Sequence, residues 1–208
     1  MKRAVTVEQL INTEFSIIEF TDRWEASFGK PEVSGVWIFW GDSGNGKTRF
    51  AMQLARELTK FGKVCYDSLE EGARRSMQRA VIEENMIEVA RNFLILHREP
   101  VEELKERLRK RRSPEIVIVD SYQYSGLTKR TYIEFKEEFH NKLIIFLSHA
   151  EGKHPEGRSA KFVRYDADIK GRIEGYKVFP VSRYGGGEPY VIWHEGAGTY
   201  WGIEDHNN

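Results

Sequence analysis

Gly41-Asp42-Ser43-Gly44-Asn45-Gly46-Lys47-Thr48 is the stretch that decides the reading of this chain. It fits G-x-x-x-x-G-K-[ST] at every position, and the pattern has separable physical parts. Gly41, Gly44 and Gly46 permit backbone conformations that a Cβ would block. The consecutive amides of the loop, through Asp42, Ser43 and Asn45, can then point at phosphate oxygens. A helix beginning near Lys47 adds the unpaired N–H groups of its first turn, Arg49 included, and the positive end of its dipole. The Lys47 ammonium can reach β- and γ-phosphates, and the Thr48 hydroxyl can ligate Mg²⁺. An ordinary Gly-rich turn is the bland alternative, and the flanking sequence argues against it.

On one side stands Val36-Trp37-Ile38-Phe39-Trp40, apolar on both faces as a central strand covered by helices should be. On the other side the spacing predicts a helix from Lys47 to Lys60, with Phe50, Ala51, Leu54, Ala55 and Leu58 recurring every three or four residues. Beyond it, short apolar runs alternate with longer amphipathic stretches. Strands are expected at 63–68, 92–96, 115–120 and 142–148, and helices at 73–89, 100–112 and 131–141. Tyr176 to Val181 and Tyr190 to Trp193 read as a final hairpin turning at Gly185-Gly186-Gly187. The class is therefore α/β, with a mainly parallel twisted sheet flanked by helices and a C-terminal antiparallel hairpin. Residues 151–175 read as a long loop, and such loops are usually functional. Residues 1–34 read as a helical lead-in packed on the core, and residues 35–208 as the main domain.

Composition limits the partners. The 208 residues suit one domain. Lys plus Arg and Asp plus Glu both number 32, so net charge gives no argument for nucleic acid. The single cysteine, Cys65, excludes an intrachain disulfide and sits in an apolar run where a buried thiol is expected. No stretch is long and apolar enough to span a membrane, and the start lacks a signal-peptide pattern. A cytoplasmic location is the expectation.

Asp120 closes the run Ile116-Val117-Ile118-Val119. A carboxylate at the carboxyl end of a strand beside the loop can hold a Mg²⁺ shell with Thr48. A turn or capping Asp is the alternative. Together these pieces resemble the RecA-like P-loop ATPases, most closely the branch of RadA and the DnaB-type helicases. Asp67-Ser68-Leu69-Glu70-Glu71-Gly72 matches the place where that branch carries a water-polarising glutamate. Glu70 is the matching position, and Glu71 competes with it. Asp120-Ser121-Tyr122-Gln123 looks like the family's second-acid segment. His149, after Leu147-Ser148, stands where the family places a polar sensor of the γ-phosphate. Val181-Ser182-Arg183-Tyr184-Gly185 is similar to the stretch that lends a basic finger to a neighbouring subunit. Arg183 matches the arginine, while Val181 replaces the expected lysine.

The resemblance spans about residues 36–193. It implies ATP and Mg²⁺ as cofactors, water as the acceptor and a homo-oligomer, ring or filament. It also implies single-stranded DNA held on residues 122–130 and 151–175. Tyr122, Tyr124, Lys129 and Arg130 populate the first segment, and Lys153, Arg158, Lys161, Phe162, Arg164, Tyr165, Lys170 and Arg172 the second. Interleaved acids make a solvated mixed-charge surface the competing reading. Two rival functions stay open: a nucleotide-gated regulatory or scaffold protein with slow hydrolysis, and a small-molecule kinase. Against the kinase, the chain lacks a recognisable lid rich in arginines, and Glu70 stands in a RecA-like context.

Overall fold

The computed structural model describes residues 4–202. Its elements run α1 (Val7–Ile11), α2 (Asp22–Phe28), β1 (Gly35–Gly41), α3 (Lys47–Leu58), β2 (Val64–Ser68), α4 (Arg75–Glu83), β3 (Phe93–His97), α5 (Val101–Arg109), β4 (Ile116–Asp120), α6 (Lys129–Glu138) and β5 (Leu143–Ser148). Then follow β6 (Ala150–Glu151), β7 (His154–Pro155), α7 (Arg158–Asp166), β8 (Ile169–Glu174), β9 (Lys177–Ser182), β10 (Tyr190–Val191) and α8 (His194–Trp201). The main sheet has the order β10-β9-β8-β1-β5-β4-β2-β3. From β8 to β3 every neighbouring pair is parallel, while β8–β9 and β9–β10 are antiparallel.

Alternation along β1 builds two cores at once. Trp37 and Phe39 point into one, with Phe50 and Leu54 of α3 and Trp24 and Phe28 of α2. Val36 and Ile38 point into the other, with Leu104 of α5, Tyr132 and Phe135 of α6 and Val163 of α7. Helices on both faces explain why the central strands read as continuous apolar runs. Each fully buried aliphatic or aromatic side chain contributes roughly 1.5–3 kcal/mol relative to exposure.

Three expectations need correction. Residues 151–175 are not a loop. They form the small β6–β7 hairpin, α7 and then β8, which pairs in parallel with β1. Burial alternates along β8, with Ile169, Gly171 and Ile173 inward and the charged Lys170, Arg172 and Glu174 half-buried. That is the period of a half-exposed strand, and the charges disguise it. The helix expected over 73–89 ends at Glu83, because Asn85 takes a left-handed conformation (φ 51°) and a 3₁₀ turn follows at Met86–Val89. The lead-in divides: Ile18, Phe20, Trp24 and Phe28 join the core, whereas α1 buries nothing.

Candidate functional site

The parallel strands end at one edge, and Lys47, Thr48, Glu70, Asp120 and His149 gather there. Trp40 stands beside Ser148, Leu147 beside Asp120, and Asp120 beside Ser68. The tips of β1, β5, β4 and β2 therefore follow one another at about 5 Å per strand. One cavity of about 870 Å³ lies above them, and Lys47, Thr48, Glu70, Asp120 and His149 all line it. Its size is that of an ordinary ligand cleft.

The Gly-rich loop is shaped by its neighbours. A Cβ on Gly41 would lie 2.3 Å from the Ile173 carbonyl oxygen, so β8 excludes any side chain there. Gly46 takes φ +92° as it caps α3, a conformation that strains other residues. Asn45 Oδ1 accepts the Gly175 N–H at 2.7 Å and ties the loop to the β8–β9 turn. Lys47 Nζ donates to the carbonyls of Gly41 (2.6 Å) and Asp42 (2.9 Å). Burial lowers the Lys47 ammonium's pKa, while the charges of Asp120, Glu70 and Asp42 oppose that change. A phosphate placed here would meet this ammonium, the free amides of the first turn of α3 and the Thr48 hydroxyl. The donor set fits a nucleotide polyphosphate with a hard divalent cation.

Asp120 accepts a hydrogen bond from the Tyr66 hydroxyl. Burial pushes its carboxyl up to about 6; Tyr66 pulls it down, and the Glu70 charge adds to the rise. Mg²⁺ at this carboxylate and at Thr48 would supply the missing positive charge.

Glu70 and Glu71 separate here. The main-chain amides of Leu69 and Glu70 donate to the Asp120 carbonyl, at 2.6 and 3.3 Å, so the turn after β2 hangs on β4. Glu70 Oε2 lies 2.8 Å from His149 Nε2. Glu71 instead accepts from the Ser76 hydroxyl at 2.6 Å, at the start of α4. His149 Nδ1 lies 3.3 Å from Glu156 Oε2, so the imidazole stands between two carboxylates. Gln123 completes the frame. It accepts the His149 N–H at 3.2 Å and donates to Ser148 Oγ and the Glu156 carbonyl.

Sequence reasoning misses Glu156, which reads there only as an acid diluting a basic segment. The β6–β7 hairpin brings it back to His149, with the Glu156 N–H donating to the His149 carbonyl at 2.9 Å. It also misses Tyr176 and Trp193, which line the same cavity edge to face at 5.1 Å. The Arg49 guanidinium lies 5.5 Å over the Trp193 ring.

Arg183 stands apart. Ser182 pairs with Ile169, at the start of β8, so Arg183 occupies the sheet edge opposite the loop. Its guanidinium reaches Asp168 Oδ1 at 3.1 Å. Among the aromatic residues of the expected DNA segments, Tyr122 is buried and hydrogen-bonded to Ser159, and Phe162 packs on Tyr132. Tyr124 and Tyr165 are exposed.

No family model and no curated protein matches the chain. Solved structures do. The flagellar accessory protein FlaH from Methanocaldococcus jannaschii superposes with a TM-score of 0.55 at 18% identity, over 76% of this chain and 80% of that one. A second solved structure, that of an ATPase domain, does so with a TM-score of 0.53 at 17% identity, over 74% of this chain and 78% of that one. The fold is RecA-like. In this RecA-like sheet β5 separates the loop strand β1 from the Asp120 strand β4, which leaves room between their tips for a ligand.

Proposed function

We propose that this RecA-like chain binds ATP with Mg²⁺, hydrolyses it, and couples the hydrolysis to work on single-stranded DNA in recombination, repair or replication. The observation that carries the ATPase reading is the shared lining of one cavity by Lys47, Thr48, Asp120, Glu70 and His149. The loop from Gly41 to Arg49 holds the phosphates, and Lys47 leaves its loop carbonyls for phosphate oxygens. Thr48 and Asp120 hold the metal, which supplies charge neutralisation when bound. Glu70 orients a water for in-line attack and takes its proton; His149 fixes Glu70 and reads the γ-phosphate. The flat faces of Tyr176 and Trp193 suit a nucleobase.

The DNA reading rests on the exposed Tyr124, Lys153, Arg158 and Tyr165, which offer stacking faces and phosphate contacts. In a cytoplasmic homo-oligomer, ring or filament, Arg183 would leave Asp168 to complete a neighbour's site. Its ion pair in the single chain favours a second reading, a nucleotide-gated scaffold that turns over slowly.

The deciding experiment is steady-state phosphate release from Mg²⁺–ATP, with and without single-stranded DNA, for wild type and Glu70→Gln. Release that rises with DNA and is abolished in Glu70→Gln, with nucleotide still bound, supports the motor reading. Bound ATP with slow release indifferent to DNA refutes it in favour of the scaffold.

A further inference from the structure

The turn that carries Glu70 is held from two sides. On one side β4 receives it, through the Leu69 and Glu70 amides on the Asp120 carbonyl. On the other side stand His97, the last residue of β3, and Arg98 and Glu99 just beyond it. Arg98 is 28 residues from Glu70 in sequence. The strand register brings the two together, since Ser68 of β2 pairs with His97 of β3.

These residues meet the turn one polar group at a time. His97 Nδ1 accepts the Ala73 N–H at 2.8 Å. A Cβ on Gly72 would lie 2.6 Å from the same ring, so the turn passes flush against it. Arg98 Nη2 donates to the Glu70 carbonyl at 2.8 Å and reaches the Glu71 carbonyl at 3.5 Å. Among the described residues no main-chain amide reaches the Glu70 carbonyl. The guanidinium is therefore the group that holds it.

Arg98 works from a fixed base. Its own N–H donates to the Ser68 carbonyl at 3.3 Å. The next amide, that of Glu99, donates to the buried Asp67 at 3.1 Å. The Glu99 carboxylate in turn takes Arg107 of α5 through two contacts, at 2.7 and 2.6 Å. Arg98 itself adopts φ 55°, a left-handed conformation uncommon for a side chain of this kind. Such conformations persist where the surroundings fix them, and they gather at functional sites.

We propose that Arg98 is a positioning residue of the ATPase reaction: by holding the Glu70 carbonyl it keeps the Glu70 carboxylate on His149, 2.8 Å away, in the place from which it orients water. Arg98 acts through the turn and touches neither nucleotide nor water. A turn freed on this side lets the carboxylate leave His149, and a misplaced group loses much of its effect on the rate. The inference rests on the reading of Glu70 as the acid that orients water, and its test separates the two.

The test compares wild type, Arg98→Asn, Arg98→Lys and Glu70→Gln, all full-length, with circular dichroism to check that the fold is kept. Asparagine tolerates the left-handed conformation but is too short to reach Glu70, whereas lysine keeps a charged donor. The first readout is the NMR signal of the His149 ring without nucleotide, identified by its loss in His149→Ala. Glu70→Gln marks the shift that follows when the ion pair is broken. Arg98→Asn should move the signal toward that position, and Arg98→Lys should leave it near wild type. The second readout is phosphate release at saturating Mg²⁺–ATP beside the affinity for a fluorescent nucleotide. Arg98→Asn should lower kcat about tenfold at unchanged affinity, the order expected for one charge-assisted hydrogen bond, and Arg98→Lys should recover most of the loss. The inference is overturned by a His149 signal that stays in place in Arg98→Asn, by a kcat that stays at the wild-type value, or by an affinity that falls along with kcat. Turnover that survives Glu70→Gln refutes instead the reading of Glu70, and the His149 signal then still decides whether Arg98 places that carboxylate.

Discussion

Asp67 gives the sharpest test of the physical reading. It lies on β2, three residues before Glu70, and is fully buried. Its Oδ1 accepts the Glu99 N–H at 3.1 Å, while Oδ2 has no partner among the described residues. Burial pushes its carboxyl up to about 7; the Glu99 amide pulls the other way and the Glu99 charge adds to the rise. In the unfolded chain the group titrates near the ordinary value of 3.8. The folded state therefore binds more protons between about pH 4 and about pH 7, and stability falls as pH rises through that window. The contribution is fully present below the window and fully lost above it. The gap corresponds to roughly 2–4 kcal/mol once relaxation of the site is allowed for. Asp67→Asn keeps an acceptor for Glu99 and cannot ionise. Urea denaturation of both proteins, followed by tryptophan fluorescence across this range, isolates the term, since every other titrating group is common to both. The variant should gain on the wild type as pH rises and then hold its gain. A difference that is flat with pH, or that shrinks as pH rises, refutes the argument that burial raises this carboxyl.

Lys47→Ala removes the ammonium that borders the phosphate cradle; titration with a fluorescent nucleotide should show affinity reduced by about 10- to 100-fold, the worth of one charged hydrogen bond. His149→Ala should lower phosphate release more than Glu156→Gln does, because the imidazole holds Glu70 at 2.8 Å and Glu156 holds the imidazole at 3.3 Å. Equal losses from the two substitutions would count against that order. Burial pushes the Cys65 thiol up to about 12, so a thiol reagent at neutral pH should label the native protein only as fast as it unfolds.

The parts of the site legible in the sequence are those that one local requirement fixes. Gly41 has no room for a side chain beside Ile173, and Gly46 needs a positive φ, so the loop is written residue by residue. Asp120 is legible because four apolar residues bury the strand beneath it and its tip must reach the edge. Glu70 is placed only by family resemblance; Glu71 becomes separable from it once the fold delivers His149 to one and Ser76 to the other.

What stays illegible depends on contacts made across the chain. Glu156 is seven residues beyond His149, and only the two-residue pairing of β6 with β7 returns it there. β8 is hidden because its half-buried positions Lys170, Arg172 and Glu174 carry charges, two of which pair with each other as Arg172 and Glu174. That strand is also the one that leaves no space beside Gly41 and, through its following turn, holds Asn45. The segment that looks most like a free loop is thus part of what shapes the Gly-rich loop of residues 41–48. Any surface for DNA on residues 151–175 would draw on α7, the tip of the β6–β7 hairpin or the half-buried charged positions of β8. A ligand bound at that tip would act on His149 through Glu156, a direct physical route from the surface to Glu70.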